Sequence, residues 1–200
     1  MSRPCGPEVA GLLPTVREDL RTVLHRDPSV ATLREAALHP PLLAVWTHRL
    51  AHRLFARGHR IGARLLSQLG RLLTGVEIHP GARIGRRLFI DHGAGIVIGE
   101  SAVIGDDVTI YHQVTLGAVG WWRDNRRPPG ERRHPRVGHG VVLGTGSTLL
   151  GPIDVGDAAV IGAHALVTTD VPAGGRLVAP AARPLLHPRA GRSLTKRSQS

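Results

Sequence analysis

The chain has 200 residues and a formal net charge of +11, with 25 Gly, 15 Pro, one Cys and 3% aromatic residues. A single Cys excludes an internal disulfide framework, and no apolar run approaches the roughly 18 residues that span a bilayer. No basic segment followed by a long apolar stretch opens the sequence, so we expect a cytoplasmic protein without membrane contact.

The positive charge has three interpretations at this point. It can serve solubility together with a loose basic tail, attract a polyanionic small ligand, or bind nucleic acid. The sequence has six aromatic residues (three Trp, one Tyr and two Phe) and no recognisable nucleic-acid-reading module. We therefore expect no nucleic-acid partner.

Residues 1–75 are predicted to be helical. Thr15–Glu18 matches a capping box, and Asp27-Pro28 matches a second helix start with Asp at the N-cap position. Two apolar stripes follow at helical spacing, ending at Gly58 and Gly75, and we expect both to pack against other helices. They consist of Leu43, Trp46, Leu50 and Leu54, then Ile61, Leu65, Leu69 and Leu72.

Residues 76–183 carry a six-residue repeat that neither a helix nor a half-buried strand would produce. A coil with three short flat faces produces it, because each face takes one hexad and turns one aliphatic residue inward. We predict an α+β protein in which an N-terminal α-helical region precedes a parallel β-helix. The repeat falls at Ile78, Ile84, Ile90, Ile96, Ala102, Val108 and Val114, then at Val137, Leu143, Leu149, Val155, Ile161 and Val167.

The repeat breaks once, between Val114 and Val137. These residues lie 23 positions apart, which is not a multiple of six, so one extruded loop is predicted at 117–135. The loop carries Trp121-Trp122 and five Arg residues, and insertions in solenoids often serve binding. The Pro- and Arg-rich tail at 184–200 loses the repeat and is expected to be disordered.

Two clusters could carry chemistry. A His near a carboxylate is a general-base arrangement, and Glu77 and His92 are separated by nearly one turn of three hexads. Arg133 and His134 close the loop, where a guanidinium and a ring donor could hold a substrate carboxylate. Surface positions without function remain the alternative for both clusters.

Metal binding is a further alternative for a chain with twelve His residues. His48 and His52 have the i, i+4 spacing of metal ligands, but no adjacent acid completes a zinc motif, and both are expected on the wet face of a helix. Four His residues of the solenoid could converge on zinc between subunits, although no regular spacing links them. These are His92, His112, His134 and His139; we expect no metal.

Six segments together carry a family resemblance. They are RDP at 26–28, GVEIHPGARIG at 75–85, FIDHG at 89–93, VTIYHQVTLG at 108–117, RHP at 133–135 and LGPI at 150–153. With them the chain resembles the serine O-acetyltransferases, left-handed β-helix enzymes of the hexapeptide acyltransferase group. The similarity covers about residues 17–183, and the IDHG and RHP pieces are specific to this family.

The resemblance implies a role for each matching residue. His92 would take the proton from the serine hydroxyl, with Glu77 as its carboxylate partner. The donor would be acetyl-CoA, bound between adjacent subunits of a homotrimer, and the product O-acetylserine would serve cysteine biosynthesis. Asp27 and Asp91 would bind the amino group of L-serine, Arg133 and His134 its carboxylate, and Gly117, Thr145 and Ala163 would line the acetyl-CoA cleft.

The sequence departs from the family mainly on the donor side. The stretch 115–120 reads TLGAVG where the family usually reads TLGGTG, and a Trp pair follows in a longer loop. A related O-acyltransferase with another hydroxy acceptor or acyl-CoA donor is therefore the alternative function. A trimeric scaffold that binds an acidic partner is a third possibility. A complex with cysteine synthase is not expected, because the chain ends in Ser200 rather than Ile.

Overall fold

The computed structural model describes residues 12–124, 126–128 and 130–182. Four helices come first and a fifth lies in the later loop: α1 (Leu12–Arg26), α2 (Leu33–Ala37), α3 (Pro40–Ala56), α4 (Arg60–Thr74) and α5 (Trp121–Asp124). Within these ranges no helix has the length and apolar character needed to cross a membrane. Cys5 and the basic tail at 184–200 lie outside the described residues.

After α4 the described chain forms fourteen short strands. They are β1 (Glu77–Ile78), β2 (Arg83–Ile84), β3 (Phe89–Asp91), β4 (Val97–Ile98), β5 (Val103–Ile104), β6 (Thr109–Tyr111), β7 (Thr115–Gly117), β8 (Arg136–Val137), β9 (Val142–Leu143), β10 (Thr148–Leu150), β11 (Asp154–Val155), β12 (Val160–Ile161), β13 (Leu166–Val167) and β14 (Arg176–Leu177).

The strands stack into three parallel sheets, one for each face of a triangular coil. Sheet A has the order β1-β4-β7-β10-β13, sheet B the order β11-β8-β5-β2, and sheet C the order β14-β12-β9-β6-β3. The chain turns three corners per coil, which we name the A–B, B–C and C–A corners after the sheets they join. The predicted N-terminal helices followed by a left-handed parallel β-helix are confirmed.

All thirteen repeat positions are buried in the solenoid core, with exposures from 0 to 8%. The prediction of one inward residue per hexad is incomplete, because a second position is also buried. Ile98, Ile104, Ile110 and Leu116 each lie two residues after a repeat position and are 2% exposed or less. In these four hexads two aliphatic side chains fill the narrow interior, which leaves little room for aromatic residues.

The strand register shows where the coil departs from its regular length. Val97 pairs with Thr115, 18 positions along, which is three hexads. Ile104 pairs with Val137, 33 positions along, because the chain leaves the coil after β7 and returns at β8. This is the predicted loop.

The predicted helix starts at Thr15 and Asp27 are both wrong. Thr15 lies inside α1, and Asp27 lies in the turn that follows it. The capping box belongs to Thr32, whose hydroxyl accepts a hydrogen bond from the Glu35 N–H while the Glu35 carboxylate accepts one from the Thr32 N–H. The Thr-x-x-Glu pattern occurs at both places, and the tertiary structure uses the second.

The predicted packing of the second apolar stripe is also wrong within this chain. Ile61, Leu65, Leu69 and Leu72 are 49 to 81% exposed. Helix α4 instead turns its small residues Ala63 and Gly70 towards the protein, and a Cβ atom at Gly70 would lie 2.6 Å from the Thr47 hydroxyl oxygen of α3. The close approach of the two helices therefore decides which face of α4 is buried.

Candidate active site

His92 lies on the C–A corner, directly after β3. Ile78 pairs with Ile98, 20 positions along, so the first coil is two residues longer than a regular coil. The extra residues fall at this corner, because Asp91 pairs with Tyr111 and Val97 with Thr115. Five residues thus connect the strands here where three do in the next coil. The sequence conceals this insertion, because Ile96 happens to keep the six-residue repeat.

The longer corner projects the His92 imidazole into solvent. The His92 side chain is 74% exposed, and its Nε2 atom lies 3.6 Å from an Asp91 carboxylate oxygen. Its ring also meets the His112 ring of the next coil edge-on, with 5.8 Å between centroids. A solvent-accessible imidazole beside a carboxylate can accept a proton from a bound hydroxyl group.

Asp27 approaches the same corner from the helical region. The Ser29 N–H and hydroxyl donate hydrogen bonds of 2.9 and 2.6 Å to one Asp27 oxygen. These bonds, with a smaller contribution from His39 and His92, lower the pKa of Asp27, so it stays ionised at neutral pH. Asp91 lies beside His92, and Asp27 is near enough to interact with the His92 charge, so a cationic amino group could bind between the two carboxylates.

His39 belongs to this cluster and was not anticipated from the sequence. Its Nε2 atom lies 3.8 Å from an Asp27 oxygen, and its ring packs against Phe89 at 5.9 Å. Burial lowers the pKa of His39, against the opposing effect of Asp27 and Asp91. No sequence motif indicates that His39 belongs to a functional site, because its only local feature is that it precedes Pro40, the first residue of α3.

Glu77 does not contact His92 in the structure. Its carboxylate instead lies 3.1 Å from an Arg71 guanidinium nitrogen, and among the described residues no hydrogen bond or ion pair joins it to His92. The residues next to them in the chain do approach each other, since a Cβ atom at Gly93 would lie 2.8 Å from the Val76 side chain. The role of Glu77 stays a prediction.

Arg133 and His134 lie at a different corner, the A–B corner. An Arg133 guanidinium nitrogen donates to Glu100 at 2.8 Å, and the His134 Nδ1 atom lies 2.8 Å from the Ser101 hydroxyl oxygen. The Ser101 backbone N–H also donates to Nδ1, so the ring proton of neutral His134 resides on Nε2. Burial, reinforced by the Arg133 charge, lowers the pKa of His134 to about 4.

A neutral His134 with an Nε2 proton is a hydrogen-bond donor at physiological pH. Beside it, Arg133 supplies a positive charge, so this pair can hold a carboxylate. The structure thus brings Asp27, Asp91 and His92 together at one corner and Arg133 and His134 at another. Among the described residues of one copy, no hydrogen bond, ion pair or ring contact joins the two groups.

The three residues predicted for the donor cleft also divide between corners. Thr145 and Ala163 lie on the C–A corner in successive later coils, where the His164 N–H donates to the Thr145 carbonyl at 2.8 Å. Gly117 is the last residue of β7, at the A–B corner, where a Cβ atom would be 2.9 Å from Leu150. Small residues at these positions keep the solenoid surface open, and their contact with the donor stays a prediction.

The loop that follows Gly117 is held to the solenoid by ion pairs. Arg132 donates to the Ile153 carbonyl and to Asp154 of the solenoid at 2.8 and 3.0 Å, and Arg133 donates to Glu100. Within the loop itself, buried Asp124 accepts from the Gly120 N–H at 3.0 Å. The Trp122 ring, 55% exposed, covers Gly120, where a Cβ atom would lie 2.5 Å from the ring. The loop therefore presents an aromatic surface beside the end of β7.

Of the four His residues raised as a zinc alternative, His92 and His112 are in ring contact, whereas His134 and His139 are held by separate hydrogen bonds at other corners. His134 bonds to Ser101, and the His139 Nδ1 atom accepts from the Asp106 N–H. In the described ranges no three His, Cys, Asp or Glu side chains are grouped to hold a metal ion. His48 is 4% exposed, so its predicted position on the wet face of α3 is wrong.

No protein-family model matches the chain. Its sequence is 51% identical over 160 residues to a serine acetyltransferase of Helicobacter pylori, covering 80% of this chain and 90% of that protein. Its structure is similar to that of Neisseria gonorrhoeae serine acetyltransferase in complex with serine, with a TM-score of 0.76, 36% identity and coverage of 86% of this chain and 68% of the other.

A second solved structure matches at the same level. Serine acetyltransferase from Brucella abortus in complex with coenzyme A has a TM-score of 0.77 and 36% identity, with coverage of 86% of this chain and 66% of the other. Sequence identity and superposition both extend from the helical region into the solenoid. The chain therefore belongs to the serine acetyltransferase family.

Proposed function

We propose that this chain transfers the acetyl group of acetyl-CoA to the hydroxyl group of L-serine, giving O-acetylserine for cysteine biosynthesis. The observation that carries the proposal is the C–A corner, where Asp27 and Asp91 lie near the exposed imidazole of His92. The family supports it, since one related structure contains serine and another coenzyme A. Both substrates come from solution, and the proposal requires no metal.

The reaction follows from the roles of these residues. His92 accepts the proton of the serine hydroxyl while the oxygen attacks the thioester carbonyl. The tetrahedral intermediate then collapses, the C–S bond breaks, and protonated His92 returns the proton to the leaving thiolate. Asp27 and Asp91 would bind the serine ammonium group. The negative charge of Glu77 would stabilise the protonated, cationic form of the His92 ring.

We also propose that the serine carboxylate is held by a second copy of the chain. Arg133 and His134 lie at the A–B corner, away from His92, so a serine bound to Asp27 and Asp91 does not reach them in the same copy. A cyclic homotrimer would bring the A–B corner of one copy to the C–A corner of the next. Acetyl-CoA would then lie between copies, near Gly117, Thr145 and Ala163.

The test is serine-dependent release of coenzyme A from acetyl-CoA. We expect turnover with L-serine and a loss of about 10²- to 10⁴-fold in kcat for His92→Ala, the range typical of a general base. His59→Ala, an exposed His just before α4, is the matched control and should retain parental activity. Absence of serine-dependent release, or full activity of His92→Ala, would refute the proposal.

A second candidate keeps the fold and changes the donor or the acceptor. It is favoured by Trp122, which covers Gly120 next to the end of β7, on the side where the donor is expected. A panel of acyl-CoA thioesters against hydroxy amino acids distinguishes the two. A higher kcat/KM for a longer acyl chain or for another acceptor would select this candidate, and preference for acetyl-CoA with serine would exclude it.

A further inference from the structure

A cavity of about 810 Å³ lies at the B–C corner, on a different corner of the solenoid from His92. One wall is α1 and the other is formed by the turns before β3 and β6. Five arginines and two carboxylates line it, so positive charge is in excess by three with His25 neutral. The charged residues are Arg17, Arg21, Arg26, Arg86, Arg87, Glu18 and Asp107.

The floor of this cavity is a closed ion-pair network. The Glu18 carboxylate accepts from Arg86 at 2.9 and 3.0 Å and from Arg87 at 3.0 Å. Asp107 accepts two bonds from Arg87 at 2.7 and 2.6 Å and one from Arg26 at 3.4 Å. Both carboxylates are therefore already engaged by the three guanidinium groups of the floor and leave no negative charge for the rim.

The rim consists of Arg17, Arg21 and His25, which follow one another at four-residue spacing on α1. This spacing places their side chains in one row on the helix surface. All three are exposed, and neither arginine has a hydrogen bond or ion pair within the described part of the chain. Two unpaired guanidinium groups thus face a cavity whose acids are already engaged.

We propose that this cavity binds a small anion that carries two or more oxyanion groups, such as an oligophosphate or a multiply phosphorylated metabolite. Arginine forks bind such oxygens through paired N–H donors. The cavity volume lies within the range of small-molecule sites, about 300–1,000 Å³, which is larger than one phosphate requires. Ligand binding here does not depend on acetyl transfer, so the inference goes beyond the proposed function.

The probe is inorganic tripolyphosphate, titrated calorimetrically into the full-length protein at low ionic strength. We expect saturable binding that Arg17→Gln/Arg21→Gln weakens by about tenfold or more, the loss expected for at least one charge-assisted bond. The matched control is Arg34→Gln/Arg57→Gln, which removes two exposed arginines elsewhere and changes the net charge equally. It should shift the dissociation constant by less than about twofold.

Further arms make each result decisive. Arg17→Lys/Arg21→Lys retains the charge and loses the forks, so it should bind with intermediate affinity even if the Gln variant is poorly folded. Equal weakening by the rim and control pairs would overturn the proposal in favour of general charge attraction. Orthophosphate binding as tightly as tripolyphosphate, or displacement of tripolyphosphate by acetyl-CoA, would also overturn it, the latter by assigning the cavity to the donor.

Discussion

His92 has a left-handed backbone conformation, with φ of 63°. Such a conformation in a non-Gly residue often indicates strain at a functional site. The regular corner has its own left-handed residue, which is Gly95 in the first coil and Gln113 and His164 in later coils, with φ of 74°, 61° and 59°. His92 lies outside this pattern, because it forms the two-residue insertion together with Gly93, at φ of 72°, and this insertion lifts the imidazole out of the coil.

Gly99 offers a residue-scale test of the role of His134. A Cβ atom at Gly99 would overlap the Cδ2 and Nε2 atoms of the His134 ring, so Gly99→Ala must displace that side chain. Because His134 is proposed to hold the serine carboxylate, we expect KM for serine to rise by about tenfold, one lost hydrogen bond to a charged group. Steady-state kinetics with both substrates measure this change, and KM for acetyl-CoA should stay constant.

Gly62→Ala is the matched control for this substitution. Gly62 lies on α4 with no atom within 4 Å of its would-be Cβ position. The change should leave both KM values unaltered and raise the free energy of unfolding by about 0.5–1 kcal/mol, because Ala favours a helix over Gly. An unchanged KM for serine in Gly99→Ala would show that His134 does not contact the substrate.

At the scale of elements, the helices pack by faces that hydrophobicity alone does not identify. Helix α3 buries Leu42, Val45 and His48, while Leu43 and Leu50 of the predicted stripe are 40 and 42% exposed. The exposed leucines and the buried His reflect the close contact of α3 with the first coil and with the small face of α4. His48 is the polar exception on this face, and it has consequences for stability.

Burial lowers the pKa of His48 from 6.5 to about 3. Between these two values the unfolded chain binds a proton that the folded protein does not, so the stability is complete above pH 6.5 and falls as the pH falls. We expect a loss of about 1.4 kcal/mol per pH unit below 6.5 from this residue. Urea unfolding between pH 5 and 7, at constant protein concentration, measures the slope.

His48→Leu should flatten this dependence, because Leu has no proton to bind. His25→Gln, which changes an exposed His on α1, should leave the slope at its parental value. The other buried ring, His134, contributes its own slope to all three proteins and does not affect the comparison. Identical slopes for His48→Leu and the parent would contradict the assignment.

At the scale of the whole molecule, the proposed acceptor site is divided between two corners of one solenoid. A site completed by a neighbouring copy makes a specific prediction for mixed oligomers. His92→Ala and Arg133→Ala should each be nearly inactive alone, because each lacks one half of every site. Mixed in equal amounts within trimers, they should recover about a quarter of the parental activity, since a quarter of the interfaces pair two intact halves.

The experiment requires co-expression with two purification tags and light scattering to establish the trimer. Two His92→Ala copies with different tags, co-expressed in the same way, are the control and should stay inactive. Absence of recovery in a mixed trimer would mean that one copy supplies both halves of the site. A monomer in solution would refute the shared site directly.

The sequence by itself determined the solenoid. A six-residue aliphatic repeat can be satisfied only by a three-faced coil, and the motifs around His92 and Arg133 indicated the family because they are short and local. It also placed the extruded loop, since a spacing that is not a multiple of six cannot stay on the coil. These features depend on residues near one another in the chain.

Only the tertiary structure decided which residues meet. It revealed the longer corner beneath His92, which the repeat conceals, and brought His39 beside Asp27 across the turn between helices. It paired Glu77 with Arg71 and placed Arg133 at another corner than His92, because side-chain contacts across coils depend on strand register rather than on spacing. It also buried His48 and exposed the α4 leucines, since close packing at Gly70 and Thr47 outweighs the hydrophobic stripe.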